Sequence, residues 1–427
     1  MTSKVRLAVV TANRPHPAHS VRAANVVIFE LIRALAARPE LEVGWLLVEH
    51  DGSSLATDDE RNGSQFLQDA GVSLIGEMTL PKPTRVGGRI ERLLAPKIEH
   101  FYPDYVHSAV IGRELSNWKA DVAFVPWSEW LTAACADVPM TKFAYYGNPD
   151  PKTGRARTHH DIRLEGLSLS RLATLIGLRQ LEKMHLAVMH KLDLIGDVAN
   201  NDAEYYRNNG FDNAFYVRNI WIDRLGETWR PRRSELESPT PVRIIANVGK
   251  LGGTANRLGM EYLGRELLPA LRERMASGSY LIEILGSGNL HPKIANLLSG
   301  PDIVLRGFVD DIDEAMMTAP VFLCVNNATS FNVGHTRYLH AWTLGCCVIA
   351  HRNASLAMPE IEHGKNALLG SSAAEIADLI ATAAGDATLR NRIGEGGWLT
   401  YRELFTADRV AEHIAERIVN HFSFDRG

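Results

Sequence analysis

Strand-like and helix-like runs alternate from one end of the chain to the other, and this alternation limits the fold class more than any single motif. KVRLAVVT (4–11) is a short apolar run rich in β-branched residues, and VRAANVVIFELIRALAAR follows with apolar residues at helical spacing. EVGWLLVEH (42–50), VSLIGEM (72–78), ADVAFVPW (120–127), TKFAYYG (141–147), LDLIGDVA (192–199) and AFYVRNI (214–220) continue the strand series. A charged, proline-bearing stretch, DRLGETWRPRRSELESPTP, interrupts it. The rhythm then restarts with PVRIIANVG (241–249), YLIEILGSG (280–288), DIVLRGFV (302–309), PVFLCVN (320–326), CCVIAH (346–351) and NALLG (366–370). Repeated βα units imply an α/β fold with parallel sheets and helices on both faces.

Two such series imply two facing Rossmann-like domains with an interdomain cleft. The expected division is a first domain over 1–222, a linker over 223–240 and a second domain over 241–405. A terminal helix over 406–427 is expected to pack back on the first domain. Ligands of such sheets bind beyond the carboxyl ends of the strands. In the second half those ends are the loops 249–257, 286–291, 307–311 and 326–337.

Bulk properties remove several classes of function. The net charge of −4 argues against a protein that binds polyanions with its whole surface. No window is apolar for long enough to suggest a spanning helix. The opening MTSKVRLAVVTANRP reads as a first strand rather than a signal peptide. Cys135, Cys324, Cys346 and Cys347 show neither metal-ligand spacing nor a disulfide framework, which suits buried thiols in a reducing cytoplasm. No metal site and no resident cofactor are expected.

The strand-end loops carry the chemistry. GKLGGTANRLG (249–259) follows a strand and opens a helix. Gly249, Gly252 and Gly253 let a backbone approach a ligand closely, and Lys250 and Arg257 add positive charge. Amides at a helix start favour phosphate; the alternative is a flexible turn with two surface cations. GSGNLHP (286–292) places Gly286 in a tight turn without the third glycine of a dinucleotide site. In RGFVDDIDEAM, Asp310, Asp311 and Asp313 fit helix capping. In NVGHTRYLHAW, Asn332, His335, Arg337 and His340 crowd the start of an apolar helix, where Arg337 can hold a diphosphate and His340 can reach a hydroxyl.

Taken in order, "ILGSG", "VLRGFVDDI", "YLHAWTLGCCVIA" and "MPEIEHGKNALL" resemble the donor domain of the GT-B-fold, retaining nucleotide-sugar glycosyltransferases called group 1 transferases. The resemblance covers about 241–405; the first half matches more loosely, chiefly over 192–223. It implies the GT-B fold and transfer of a sugar from a nucleotide sugar. In that family two glutamates flank the donor loop, and here Asn332 and His340 take their positions. Lys250 and Arg257 fall near the family's diphosphate-binding cations, with longer spacing. By the same resemblance Lys250, Arg257 and Asn332 are the candidate catalytic residues. Gly249, Gly252, Gly253, Gly286, Phe308, Val309, His335, Arg337, His340 and Glu360 are the candidate donor-binding residues. His16, His19 and Arg22 after the first strand, and Tyr146, Asn148 and Asp150 after the fifth, are expected on the acceptor side.

The resemblance further implies retention of configuration without a metal, the leaving phosphate taking the acceptor proton. Such activity would serve synthesis of a cell-surface polysaccharide or glycoconjugate. Residues 152–191 hold eight Lys/Arg against three Asp/Glu, and 82–97 hold five against one. These local basic, leucine-rich stretches suit a glycan or polyprenyl-linked acceptor and a peripheral contact with the inner membrane face. Nucleic acid is not expected, because aromatic residues are sparse there. The sequence leaves three alternatives open: a non-catalytic relative that lost its glutamates, a sugar-nucleotide epimerase, and an NAD oxidoreductase.

Overall fold

A computed structural model describes residues 4–17, 23–52, 63–84, 86–236 and 241–424. The first half holds β1 (Val5–Thr11), β2 (Leu41–His50), β3 (Ser73–Leu80), β4 (Val122–Pro126), β5 (Thr141–Tyr146), β6 (Leu194–Asp197) and β7 (Ala214–Tyr216). They form one parallel sheet in the order β3-β2-β1-β4-β5-β6-β7. The second half holds β8 (Val242–Asn247), β9 (Tyr280–Leu285), β10 (Ile303–Gly307), β11 (Val321–Cys324), β12 (Cys347–His351) and β13 (Leu368–Gly370). Their order is β10-β9-β8-β11-β12-β13, again parallel throughout. Every run read as a strand is a strand. The fold is α/β with two Rossmann-like sheets, the GT-B arrangement.

Strand order reverses beside β1 in one sheet and beside β8 in the other, where each pairs with a strand distant in sequence. These are the switch points where loops diverge and leave a crevice. Alternation along β1 supplies both faces of its sheet. Leu7 and Val9 enter one core while Ala8 and Val10 enter the opposite one. In β8, Ile244 and Ala246 face one core and Ile245 the other.

The helices that matter for the site are α1 (Ala23–Ala36), α2 (Asp150–Glu165), α3 (Leu169–Met189), α4 (Asn200–Asn208), α5 (Trp229–Leu236), α6 (Thr254–Tyr262), α7 (Ile312–Met317), α8 (Thr336–Thr343) and α9 (Ala407–Phe424). The segment between the two sheets is not extended. Its helix α5 buries Trp229 against Gly345, where an added Cβ would lie 2.2 Å from the indole ring. Arg233 of α5 donates to the carbonyl of Ala319 at 2.6 Å. Helix α9 presents Val410, Ala411, Ile414, Ala415 and Ile418 on one face, a helical stripe. That stripe packs with α1 in the core of the first sheet, so the last helix returns to the first half.

Ile414 is fully buried in that core. Ile414→Ala is expected to cost about 2–5 kcal/mol through lost burial and a residual cavity. Chemical denaturation followed by circular dichroism measures it, and an unchanged midpoint would show that α9 contributes little.

Candidate active site

At the second switch point β8 ends in Asn247, and the chain turns through Gly249 at φ +111°. The Asn247 amide donates to the Leu285 carbonyl at 3.0 Å and so ties the end of β8 to the end of β9. The next loop presses against this turn. Gly286 has φ +142°, and a Cβ there would lie 1.8 Å from the Gly249 oxygen, so only glycine fits. The Leu251 amide donates to the Ser287 carbonyl at 2.9 Å. Helix α6 then starts behind Gly253, which supplies no side-chain cap to its first turn. Lys250 stands exposed above this turn, with no ion-pair partner among the described residues.

The facing wall is the loop from Val325 to His335, leading into α8. Arg337 reaches back across the switch point, where its Nε donates to the Val248 carbonyl at 2.7 Å. Its Nη1 is buried and has no hydrogen-bond partner, and no carboxylate pairs with the guanidinium among the described residues. Beside it, His335 Nε2 is also buried without a partner. Burial, and then the charges of Arg337 and Lys152, hold the His335 pKa well below its ordinary value, so the ring is neutral at pH 7. A buried guanidinium with an unused donor can offer a charge-assisted hydrogen bond to an anion.

Asn332 turns inward instead. It is 9% exposed, and with its amide nitrogen toward the loop it donates to the Thr329 and Asn327 carbonyls at 3.1 Å each. A carboxylate there would face two carbonyl oxygens, which explains an amide where the resembled family has an acid. His340 is equally committed. Its Nε2 lies 2.6 Å from Asp313 Oδ1 of α7, and its ring tilts over Trp221. Asp313 therefore holds a histidine, while Asp311 caps α7 by accepting from the Glu314 amide at 2.8 Å.

The other candidates are scattered. Arg257 lies on α6 with Nη2 3.3 Å from Asp161 of α2. Glu360 accepts from Arg218 Nε at 2.6 Å and from the Tyr216 hydroxyl at 3.0 Å, bridging the two halves away from β8. Phe308 is 78% exposed, and Val309 packs against the core beneath α8. Asp150 accepts from the Tyr102 hydroxyl at the start of α2. Tyr146 is only 2% exposed, so its ring is part of the core and does not line the cleft. Asn148 is half-buried with Oδ1 unpartnered. His16 is buried edge-on to Phe66. His19 and Arg22 lie outside the described residues.

Sequence reasoning missed α2, which runs along the second half like a clasp. Lys152 Nζ lies 2.5 Å from Asp202 Oδ1 and also donates to the Asn332 carbonyl. Arg157 donates to the Gly252 carbonyl at 3.2 Å, and Arg163 to Glu261 at 2.6 Å. His160 Nε2 lies 3.1 Å from the same Glu261 oxygen, and His291 Nε2 3.0 Å from Glu165. The available signal was polarity out of place, with Thr158 and His160 buried on a helix that reads as solvated. Among the described residues no group of three or more His, Cys, Asp or Glu has a metal-holding arrangement.

Residues 242–386 match the family described as Glycosyl transferases group 1. The matched stretch is about a third of the chain and lies in its second half. The switch point at the end of β8 lies within the matched residues. No curated protein sequence matches the chain. Among solved structures, the chain is similar to Anabaena HepE in complex with UDP and glucose, at 13% identity and TM-score 0.57, covering 96% of this chain and 99% of that one. It is also similar to the α,α-trehalose-phosphate synthase (UDP-forming) of Burkholderia xenovorans, in complex with glucose-6-phosphate. There the identity is 13%, the TM-score 0.61, and the coverage 96% and 99%. These likenesses span both halves and establish the GT-B fold.

The depressed His335 pKa makes a testable contribution to stability. The unfolded chain takes up a proton near pH 6.5 while folded His335 does not, so stability falls as pH drops below about 6.5. His335→Gln is expected to narrow the stability loss between about pH 7 and pH 5 by about 1–2 kcal/mol. Denaturation midpoints at both pH values measure it, and an undiminished loss would place the proton uptake at another histidine.

Proposed function

We propose that the chain is a glycosyltransferase that draws its sugar from a nucleoside diphosphate sugar and passes it to a glycan or lipid-linked acceptor. The observation that carries this reading is the Arg337 guanidinium, half-buried at the carboxyl end of β8 with Nη1 unused. Uridine diphosphate in HepE, and the UDP-forming activity named for the Burkholderia enzyme, support a diphosphate as the anion. Departure of a sugar leaves negative charge on the diphosphate. Arg337, the exposed Lys250 and the uncapped first turn of α6 would stabilise that charge as it grows.

Neutral His335 keeps donor and acceptor capacity for a hydroxyl, whereas Asn332 and His340 are spent on protein partners. Arg257 would act through its tie to Asp161, holding α6 against α2. Retention by front-face attack, with the leaving phosphate accepting the acceptor's proton, needs no protein base and fits these residues. Movement of α2 against the second half would open and close the site. Exposed Ile90, Leu94, Leu169 and Leu172, on the first half near basic residues, favour a peripheral membrane contact. A second reading, a non-catalytic relative, draws support from the inward Asn332 and the paired His340.

Calorimetric titration of the full chain with UDP, GDP, dTDP and ADP, with and without magnesium, separates these readings. Selective binding of one diphosphate is expected. Arg337→Gln is expected to weaken it by about 10–100-fold, the worth of a charge-assisted hydrogen bond, while the variant stays folded. Absence of binding by a folded wild-type chain would favour the non-catalytic relative.

A further inference from the structure

A cavity lies beside the loop that leads into α8. It measures about 480 Å³ and opens between α2, α3, α4 and residues 329–331 of the second half. That size falls in the range of small-ligand pockets, about 300–1,000 Å³. Its walls carry Lys152, Arg155, Glu182, Asp202, Tyr205 and Phe331.

The charges on these walls are already balanced. Arg155 Nη1 donates to Glu182 Oε1 at 2.8 Å, and Nη2 donates to Glu182 Oε2. Tyr205 donates to Glu182 Oε1 at 3.0 Å. Lys152 is held by both oxygens of Asp202, at 2.5 and 2.7 Å. A phosphate entering here would meet two carboxylates, and each wall cation would have to abandon its own partner. Hydroxyl groups face no such penalty. The pairs set donors and acceptors side by side, which suits a group that both gives and accepts a hydrogen bond. Beside them Phe331, Leu258 and Ala156 cluster as an apolar part of the wall, with the Lys152 ammonium 5.5 Å from the centre of the Phe331 ring, which suits the C–H groups of a sugar more than a further charge.

The cavity also adjoins the donor loop. Phe331 precedes Asn332, whose carbonyl accepts from Lys152 and, at 3.3 Å, from Asn201. A ligand seated against Phe331 therefore touches the loop that also faces the switch point.

We propose that this cavity is a subsite for an uncharged saccharide, the sugar end of the acceptor. Its role toward an acceptor rests on the transferase reading; saccharide binding does not. The test uses the full chain with three neutral probes, maltotriose, cellotriose and chitotriose. Inorganic phosphate is the charged comparator, and UDP is titrated in parallel. Binding is followed by saturation-transfer NMR and calorimetry, with thermal melts to confirm that each variant is folded.

At least one neutral trisaccharide is expected to bind. Tyr205→Phe and Glu182→Gln should each weaken it by about tenfold, with UDP affinity changed by less than about twofold. Failure of all three saccharides to bind overturns the proposal. So does binding that neither variant alters, or phosphate that displaces the saccharide. Saccharide binding by a chain that binds none of UDP, GDP, dTDP and ADP would keep the subsite and sink the transferase reading. UDP binding without saccharide binding would do the reverse.

Discussion

The ammonium of Lys152 joins the parts of this molecule that have to act together. It leaves α2 in the first half, pairs with Asp202 at the start of α4, and donates to the backbone of Asn332 in the loop before α8 of the second half. Asp202 is almost fully buried, and burial raises its pKa while Lys152 pulls it down. Removing the lysine would strand a carboxylate inside the protein, the costly way to break such a pair. The same ammonium is one of the charges that keep His335 neutral. One side chain thus touches the loop, a buried carboxylate and both halves of the chain.

Around that junction the chemistry divides cleanly. On the switch-point side the guanidinium of Arg337 has a donor to spare, and glycines bring the loops of β8 and β9 into contact. Lys250 has no ion-pair partner there among the described residues. On the α2–α4 side Lys152 and Arg155 each have their own carboxylate. Unpaired positive charge suits an anion, and paired charge suits a neutral polar ligand. The loop from Val325 to His335 borders both regions.

The strands were legible in the sequence because apolar, β-branched runs such as VRLAVVT and VRIIAN stop at glycine or polar turns. The loops of the second switch point were legible for the same reason, since Gly249 and Gly286 directly follow strands and Arg337 lies on the helix after the next loop. Side-chain roles were not. Asn332 and His340 looked free to meet a ligand, but their partners are loop carbonyls and the α7 residue Asp313. The clasp was hidden because Lys152 and Asn332 are 180 positions apart. A helix as polar as α2 gives no periodic sign that another domain lies on it, and only the buried Thr158 and His160 betray the contact.

Hydrogen–deuterium exchange of the full chain with and without UDP tests the central claim most directly, because it reports where a diphosphate sits. Slower exchange is expected in the Gly249–Arg257 turn and at the start of α8 around His335 and Arg337, with the α2 contacts tightening beside them. Protection confined to the loops of the first sheet, or no protection by UDP, GDP, dTDP or ADP at saturation, would contradict a diphosphate site built on Arg337.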